Sequence, residues 1–380
     1  MRDLVILGST GSIGIQTLEI VASNPDLFNV LAIASAGNNP SALIEQAKKF
    51  NVKVVGTVHN ADVLRSSLPG VTVIDGPNAS TELAAITCDV VVNAITGSIG
   101  LAPTLAALKA GNTLALANKE SLIAAGELVM GLAKPNQLIP VDSEHSALWQ
   151  CLMAGRRDEV SQLILTASGG PFRDRKDLST VTREEALAHP TWSMGPVISV
   201  NSATLLNKGL EIIEAHVLFG IPYSHIQAVI HPQSVVHSMV EFVDGSTIAQ
   251  ASPPNMKGPI SFAIHWPERL SAATPAIEWS QSQQWSFSPI DDLRFPAINL
   301  ARECGRLAGG LPATFNAANE VAVESFLAGG IRFTSIMELV ADVVEKVGAQ
   351  AATSIRDLGD VSAIENNARN IARELISRMV

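Results

Sequence analysis

Two acidic side chains, Asp142 and Glu144, stand two positions apart after the apolar run 139–141. If this stretch is extended, residues i and i+2 point to the same side and both carboxylates face one spot. Carboxylates that close repel each other unless a cation lies between them, and hard oxygen ligands favour Mg²⁺ or Mn²⁺. We therefore predict a divalent-metal site. A solvated strand face or the first turn of a helix would give the same pattern, so these alternatives stay open here.

A third acidic residue, Glu211, lies in the helix predicted over 203–219. On a helix, Asn207 lies one turn from Glu211 and Lys208 is also its neighbour, so an amide, an ammonium group and a carboxylate converge. Ser202 is predicted to cap this helix, where backbone N–H groups bind anions. The alternative is a surface ion pair of Lys208 and Glu211, which would stabilise the protein by ~0.3 kcal/mol.

Two further segments have the composition of a ligand pocket. In 166–172 a strand runs into a glycine turn, where backbone N–H groups and the Ser168 hydroxyl are suited to a phosphate. In 189–196, His189 and Trp192 stand among helix breakers, as expected of a flap that closes over a ligand. A plain turn and a packed tryptophan are the alternatives.

The glycines Gly8, Gly11 and Gly14 follow an apolar run and precede a helical segment. This spacing predicts a dinucleotide site, in which the glycines make a tight turn, admit the pyrophosphate and pack the helix on the strand. An NAD site would carry Asp or Glu at the end of the second strand, whereas residues 35–39 are Ser-Ala-Gly-Asn-Asn. The sequence therefore favours NADP, with neutral amides near its 2′-phosphate.

These side chains must be positioned by more than one domain, since the chain has 380 residues. Residues 1–141 repeat an apolar run, a turn and a helical stretch, which predicts a Rossmann-like, doubly wound α/β domain around a parallel sheet. Its strands are predicted at 4–8, 30–34, 52–56, 71–74, 89–94 and 113–117. Residues 142–265 predict a central catalytic α+β domain, 266–287 a linker, and 288–380 a C-terminal helical bundle.

The composition excludes several classes of protein. Hydrophobic residues make up 47% of the chain and charged residues 16%, which predicts a well-packed globular protein. The net charge of −10 argues against a nucleic-acid partner, which requires a basic surface. The pattern of a signal peptide and a membrane-spanning apolar run are both missing, so we expect a cytoplasmic protein without a membrane partner.

Eight strings of the sequence together resemble the 1-deoxy-D-xylulose 5-phosphate reductoisomerase family over nearly the whole chain. They are GSTGSIG, LANKES, VDSEH, ASGGPF, HPTWSMG, NSATLLNKGLE, HPQSVVHSMV and NAANE. The resemblance implies an oxidoreductase of isoprenoid precursor biosynthesis. It would use NADPH and Mg²⁺ or Mn²⁺ to convert 1-deoxy-D-xylulose 5-phosphate to 2-C-methyl-D-erythritol 4-phosphate, and it would be a homodimer.

The resemblance also implies roles for individual residues. It implies metal binding by Asp142, Glu144 and Glu211, and catalytic roles for Lys119, Glu144 and His189. It implies NADPH binding by Thr10, Gly11, Ser12, Ile13, Gly37, Asn38, Asn39, Asn118, Glu120 and Gly195. It implies substrate binding by Lys119, Ser143, Glu144, Ser168, His189, Trp192, Met194, Ser202, Asn207, Lys208 and Glu211. His145, His231 and His237 lie in the same strings and are interpreted as structural.

One position departs from the family pattern, because many members carry Lys or Arg where this chain has Asn38. This weakens the argument for strict NADPH selectivity, but not the argument for a dinucleotide. Two other functions stay open on the sequence. A metal-free NAD(P) oxidoreductase would keep its activity in EDTA, and a catalytically silent regulator would bind NADPH without consuming it.

Overall fold

A computed structural model describes residues 1–192, 194–351 and 354–379. The chain divides into two compact units. Unit 1 comprises Met1–Ser121, Val129–Ser146 and Asn255–Pro275. Unit 2 comprises Leu122–Leu128, Ala147–Pro254 and Ala276–Val380.

Unit 1 is built on a seven-stranded parallel sheet. Its strands are β1 Arg2–Leu7, β2 Phe28–Ser35, β3 Val54–Thr57, β4 Thr72–Asp75, β5 Val90–Asn93, β6 Thr113–Leu116 and β7 Leu138–Pro140. The strand order is β4-β3-β2-β1-β5-β6-β7, so the winding direction reverses at β1, and ligands of such sheets bind at the carboxyl ends of the strands beside this point. The predicted fold class and its six strands are confirmed, and β7 is an additional strand.

The helices occur throughout the described residues. They are α1 Ser12–Ser23, α2 Pro40–Lys49, α3 Ala61–Ser67, α4 Ala79–Ala84, α5 Leu101–Lys109, α6 Lys119–Leu132, α7 Ser143–Leu152, α8 Arg183–Leu187, α9 Pro196–Ala203, α10 Leu206–Phe219, α11 Lys257–His265, α12 Ala297–Leu307, α13 Leu311–Leu327, α14 Phe333–Ala351 and α15 Leu358–Met379. No helix within the described ranges is both long and apolar enough to cross a membrane.

Unit 2 contains a four-stranded mixed sheet with the order β11-β10-β8-β9. Its strands are β8 Val160–Ala167, β9 Ile226–Ile230, β10 Val236–Phe242 and β11 Thr247–Ala251. β8 pairs in parallel with β9 and antiparallel with β10, and β11 is an exposed edge. Helix α10 packs on β9 and on α12, so the sheet and the C-terminal helices share one hydrophobic core.

This division differs from the predicted domain boundaries. The domains predicted over 142–265 and 288–380 lie largely in one unit, because α12 packs on α10, α13 packs on α9, and the two segments share one hydrophobic core. The segment 255–275 belongs to unit 1, where α11 packs on α1, β6 and β7. Residues 266–287 form neither helix nor strand.

Candidate active site

The glycine turn between β1 and α1 is shaped by close backbone contacts. Gly8 has φ +77°, and a Cβ there would lie 2.6 Å from the Ala94 carbonyl oxygen. A Cβ at Gly14 would lie 2.4 Å from the Gly8 carbonyl oxygen. Both positions therefore require glycine, and the turn brings the N-terminus of α1 to the carboxyl edge of the sheet. Gln46 braces the turn, since its amide donates to the Ser9 carbonyl at 2.9 Å and its amide oxygen accepts from the Ser9 hydroxyl at 2.8 Å.

The turn after β2 is also held by its neighbours. Gly37 has φ +83°, and a Cβ there would lie 2.1 Å from Thr57 Oγ1. Asn39 caps α2 by accepting from the Ala42 backbone N–H at 3.2 Å. Asn38 is exposed beside it, and no carboxylate stands in this turn to repel a phosphate.

Asn118 holds two loops together at the carboxyl edge of the sheet. It is buried at the N-terminus of α6, and its amide donates to the carbonyls of Ile95 at 2.8 Å and Gly97 at 2.9 Å and to Glu120 at 2.9 Å. Its amide oxygen accepts from the Ser121 backbone N–H at 3.1 Å. Asn118 and Glu120 thus form one hydrogen-bonded pair next to the ends of β5 and β6.

The carboxylates Asp142 and Glu144 lie at the start of α7. Residues 139–144 are not extended throughout, because the strand ends at residue 140 and the helix begins at Ser143. Asp142 Oδ1 accepts from the backbone N–H groups of Glu144 at 3.1 Å and His145 at 3.5 Å, as a helix-capping residue does. The alternative of a first helical turn is therefore the correct local structure. Negative charge is stabilised at this end of a helix, which lowers the cost of placing two carboxylates side by side.

Two cationic or protonatable groups contact Asp142. Lys119 Nζ lies 2.9 Å from Asp142 Oδ2, and His145 Nδ1 lies 2.9 Å from Asp142 Oδ1. The hydroxyl of Ser143 donates to Glu144. The fully buried His145, predicted to be structural, also orients the carboxylate of Asp142, a candidate metal ligand. The available signal was its spacing of three residues after Asp142 at a helix start.

In the polar cluster of α10, Lys208 and Glu211 are buried and Asn207 is half-buried. Lys208 forms an ion pair with Glu211, and the Asn207 amide donates to the same carboxylate. The side chains of Lys208 and Glu211 are 4% and 2% exposed, so the alternative of a surface ion pair is wrong. Burial of both charges costs desolvation energy that offsets their attraction, and the pair is therefore a weak source of stability.

The predicted single helix over 203–219 is two helices, α9 and α10. Leu205 separates them with φ +57°, a left-handed conformation that a leucine side chain rarely adopts. Ser202 therefore lies in the last turn of α9 and does not cap α10, contrary to the prediction. Gly170, after β8, has φ +64°, and a Cβ there would lie 2.8 Å from the Ser202 carbonyl oxygen. The glycine turn of 168–170 thus packs against the end of α9, close to the first turn of α10.

His189 connects this turn to the predicted flap. Its Nε2 lies 2.9 Å from Ser168 Oγ. Its Nδ1 accepts from the backbone N–H groups of Thr191 at 3.1 Å and Trp192 at 2.9 Å. Burial, and to a smaller extent the charge of Arg173, lower the pKa of His189, so the ring is neutral near pH 7.

The remainder of the predicted flap leads into α9. The Trp192 ring lies 6.3 Å from the His237 ring, Met194 is half-buried, and Gly195 precedes the first residue of α9. Ser193 lies outside the described residues. His231 has a structural role, because it is buried and bonds to the Ser286 carbonyl at 3.0 Å.

Comparisons with known proteins cover the whole length of the chain. Residues 4–126 match the family described as 1-deoxy-D-xylulose 5-phosphate reductoisomerase, 138–219 match its C-terminal domain, and 251–371 match the DXP reductoisomerase C-terminal domain. The chain is 53% identical to the 1-deoxy-D-xylulose 5-phosphate reductoisomerase of Streptomyces coelicolor, over 99% of this chain and 93% of that protein. It is 53% identical to the enzyme of the same name from Mycobacterium marinum, over 99% of this chain and 93% of that protein.

Solved structures give the same result. The Zymomonas mobilis reductoisomerase in complex with NADPH is 40% identical, with a TM-score of 0.92 and 99% of each chain covered. A DOX-P reductoisomerase in complex with NADPH, fosmidomycin and magnesium is 36% identical, with a TM-score of 0.93, and the comparison covers 100% of this chain and 99% of that one. The chain therefore belongs to the 1-deoxy-D-xylulose 5-phosphate reductoisomerase family, and it is an enzyme of the oxidoreductase class.

Proposed function

We propose that this chain converts 1-deoxy-D-xylulose 5-phosphate to 2-C-methyl-D-erythritol 4-phosphate with NADPH and a divalent cation, Mg²⁺ or Mn²⁺. The observation that carries the proposal is the pair of carboxylates Asp142 and Glu144 at the start of α7, with Lys119, the first residue of α6, in contact with Asp142, in a chain of this family. The relatives are reductoisomerases of this substrate, and a solved structure of a similar enzyme contains NADPH and magnesium.

The metal ligands in this proposal are Asp142, Glu144 and Glu211. They are all carboxylates, and oxygen ligands of this kind suit a hard cation. When bound, the metal supplies a Lewis acid for the carbonyl and hydroxyl oxygens at C2 and C3 of the substrate. His145 holds Asp142 in one orientation through its bond to Oδ1.

Lys119 and Ser143 complete this part of the proposed site. The ammonium group of Lys119 places a positive charge where negative charge develops on the reacting oxygens, and fixed charges of this kind stabilise a transition state. Ser143 holds Glu144 and contacts the substrate beside it. Lys119, Glu144 and His189 are the residues to which we assign catalytic roles.

The substrate phosphate binds, in this proposal, to Ser168, Ser202, Asn207, Lys208 and His189. Lys208 carries the positive charge, and the hydroxyl and amide groups supply direction. Trp192 and Met194 belong to the segment that closes over the substrate. Contacts to a phosphate remote from the reacting carbons contribute to orientation, so their loss lowers turnover as well as binding.

NADPH binds, in this proposal, at the carboxyl edge of the parallel sheet. The start of α1 receives the pyrophosphate at Thr10, Gly11, Ser12 and Ile13, where the helix N-terminus favours an anion. Gly37, Asn38 and Asn39 lie at the 2′-phosphate, and Asn118, Glu120 and Gly195 line the remainder of the pocket. The cofactor supplies the hydride.

We also propose a cytoplasmic homodimer. The edge strand β11 is exposed and ends the sheet of unit 2, and Ile248 on it is 40% exposed. Exposed edge strands pair readily with a second chain. Light scattering during gel filtration measures the mass, and a monomer at micromolar concentration would refute this part.

The decisive test of the function follows NADPH absorbance with 1-deoxy-D-xylulose 5-phosphate, with and without Mg²⁺, and identifies the product by mass spectrometry. We expect NADPH oxidation that requires Mg²⁺ and yields methylerythritol phosphate. Oxidation that persists in EDTA would favour a metal-free oxidoreductase. Binding of NADPH without consumption would favour a regulator.

A further inference from the structure

We propose that Thr104 and Ser121 are positioning residues of the cofactor site, which hold the loop after β5 in the shape that receives NADPH. Both side chains are fully buried, so they act through their neighbours rather than by contact with the cofactor. The inference rests on the proposed function, because it specifies how one side of the proposed NADPH pocket is kept in place.

The loop comprises residues 94–97, directly after β5. Because β5 pairs with β1, the loop lies beside the point where the strand order reverses. A Cβ at Gly8 would lie 2.6 Å from the Ala94 carbonyl oxygen, so the loop contacts the glycine turn. Ligands of doubly wound sheets bind in the crevice beside such a reversal. A cofactor held at the glycine turn therefore lies next to this loop.

Two buried asparagines hold the loop by its backbone. The N–H of Ile95 donates to Asn93 Oδ1 at 3.2 Å. The amide nitrogen of Asn118 donates to the carbonyls of Ile95 at 2.8 Å and Gly97 at 2.9 Å. An amide oxygen only accepts and an amide nitrogen only donates, so these partners define which way each side-chain amide points. The shape of the loop thus depends on the orientation of two amides.

A chain of buried hydroxyl groups joins the two asparagines. The Asn93 amide nitrogen donates to Thr104 Oγ1 at 2.9 Å, and Thr104 Oγ1 lies 3.1 Å from Ser121 Oγ. The Ser121 hydroxyl donates to Asn118 Oδ1, an oxygen that can only accept. Since that bond uses the single proton of Ser121, the proton between the two hydroxyl groups comes from Thr104. The donors therefore run in one direction, from Asn93 to Asn118.

This chain joins three elements of unit 1. Asn93 ends β5, Thr104 lies on α5, and Ser121 lies in the first turn of α6. A Cβ at Gly100 would lie 2.7 Å from Asn118 Oδ1, so the backbone before α5 packs directly on that amide. An unpaired polar group is costly in such buried surroundings, and the network therefore favours one arrangement. A loop that is ordered before NADPH binds lowers the entropic cost of binding.

Substitutions at Thr104 separate the effect of the hydroxyl from that of the shape. Thr104→Val keeps the shape and removes the hydroxyl, so Asn93 loses an acceptor and Ser121 loses a donor. Thr104→Ser keeps the hydroxyl and removes a methyl group. We expect Thr104→Val to raise the Kd for NADPH by about 10-fold, comparable to one lost hydrogen bond, and Thr104→Ser to bind at least about 5-fold more tightly than Thr104→Val.

Isothermal titration calorimetry without sugar phosphate measures these affinities, and thermal unfolding establishes that each variant is folded. If Thr104→Val binds NADPH as tightly as the wild type, the hydroxyl has no positioning role. If Thr104→Ser is the weaker binder of the two, packing of the methyl group explains the effect. Either result would overturn the proposal.

Ser121→Ala breaks the chain at its next member. The matched control is Ser261→Ala, since Ser261 is also buried in unit 1 and its hydroxyl donates within its own helix, to the Gly258 carbonyl at 2.8 Å. We expect the Kd for NADPH to rise by about 10-fold in Ser121→Ala and by less than about 2-fold in the control. In a Thr104→Val background, Ser121→Ala should add less than about 3-fold, because the chain is already broken. Full multiplication of the two effects would contradict a shared chain.

A measurement on the cofactor-free protein tests the order of the loop directly. Hydrogen–deuterium exchange with mass spectrometry reports the backbone amides of residues 94–100. We expect slow exchange in the wild type, and faster exchange in Thr104→Val that NADPH slows again. Fast exchange in the cofactor-free wild type would overturn the proposal even if no variant folds. A protein with the expected exchange and NADPH affinities that does not turn over 1-deoxy-D-xylulose 5-phosphate would instead refute the proposed function alone.

Discussion

Two glycine turns of the candidate site each follow a buried strand, yet they offer different groups to an anion. In the turn after β1, Gly8 and Gly14 allow backbone to approach backbone, and the N–H groups at the start of α1 are the proposed ligands. In the turn after β8, the Gly170 N–H is already bonded to Ser168, and the hydroxyl of that serine is the proposed ligand. The first site is built from backbone and the second from side chains. A backbone site depends on the absence of side chains, whereas a side-chain site depends on the partners of a few atoms.

The largest loss of activity is expected at a proposed metal ligand that is itself a side chain. Glu211→Gln replaces an anionic ligand by a neutral amide, and we expect kcat/KM to fall by at least about 100-fold at saturating NADPH. The exposed Glu338→Gln is the matched control and should change nothing. Equal activities of both variants across a Mg²⁺ titration would remove Glu211 from the site.

The next largest effect concerns the buried cation. Lys208→Met keeps most of the volume of the side chain but removes its charge, and we expect kcat/KM for the phosphorylated substrate to fall by ~10- to 100-fold, as for a lost charge-assisted hydrogen bond. The KM for NADPH should stay the same. A lower melting temperature with unchanged kinetics would show that the Lys208–Glu211 pair serves stability only.

Alanine substitutions in the two glycine turns test whether each turn serves a different ligand. Gly14→Ala places a Cβ 2.4 Å from the Gly8 carbonyl oxygen, and we expect the KM for NADPH to rise by roughly 10-fold, while the KM for the sugar phosphate changes little. Gly170→Ala, at φ +64°, should affect the sugar phosphate and spare NADPH. Gly131→Ala is the control, since a Cβ there meets nothing within 4 Å. If both variants impair both ligands equally, the distinction between the turns is wrong.

A smaller effect is expected at the position that departs from the family. Asn38→Asp adds a negative charge to an exposed residue of the proposed 2′-phosphate site, and we expect the ratio of kcat/KM for NADPH over NADH to fall by roughly 10-fold. The wild-type ratio should be well above one. A ratio near one in the wild type would refute the preference for NADPH.

The smallest effect is a pH dependence of stability. Burial lowers the pKa of His189, so as the pH falls below the ordinary histidine value of about 6.5 the unfolded chain binds a proton that the folded chain still refuses. Stability therefore decreases in this window until the pH falls through the pKa of the folded state. We expect a slightly lower melting temperature at pH 5.5 than at pH 7, and a weaker dependence in His189→Gln. An identical dependence in that variant would assign the effect to other residues.

The same difference between the turns explains what could be predicted from the sequence. A site built from backbone requires particular residues at fixed spacing, so the glycines after β1 predict the turn that follows this strand. The continuous apolar runs predict the parallel sheet around the turn. The break at Leu205 could not be predicted, because left-handed backbone usually occurs at glycine or asparagine. Neither could the burial of Lys208 and Glu211, since their spacing is equally typical of an exposed helix.

The start of α7 lies between these cases. The spacing of Asp142 and Glu144 predicts a metal site if the chain is extended there, but in the structure the second carboxylate lies in the first turn of a helix. In the structure Asp142 caps α7, and its bond to the Glu144 backbone N–H fixes the orientation of the carboxylate. His145 orients Asp142 through a hydrogen bond. The spacing of three residues is compatible with this bond but does not establish it.

The central claim is that Asp142, Glu144 and Glu211 bind one catalytic cation. Electron paramagnetic resonance of Mn²⁺ titrated into the NADPH-bound protein measures the number of bound ions and their affinity in the wild type and in Asp142→Asn, Glu144→Gln and Glu211→Gln. We predict one ion per chain and an affinity lowered by at least about 10-fold in each variant. An affinity that Glu211→Gln leaves unchanged would contradict the claim.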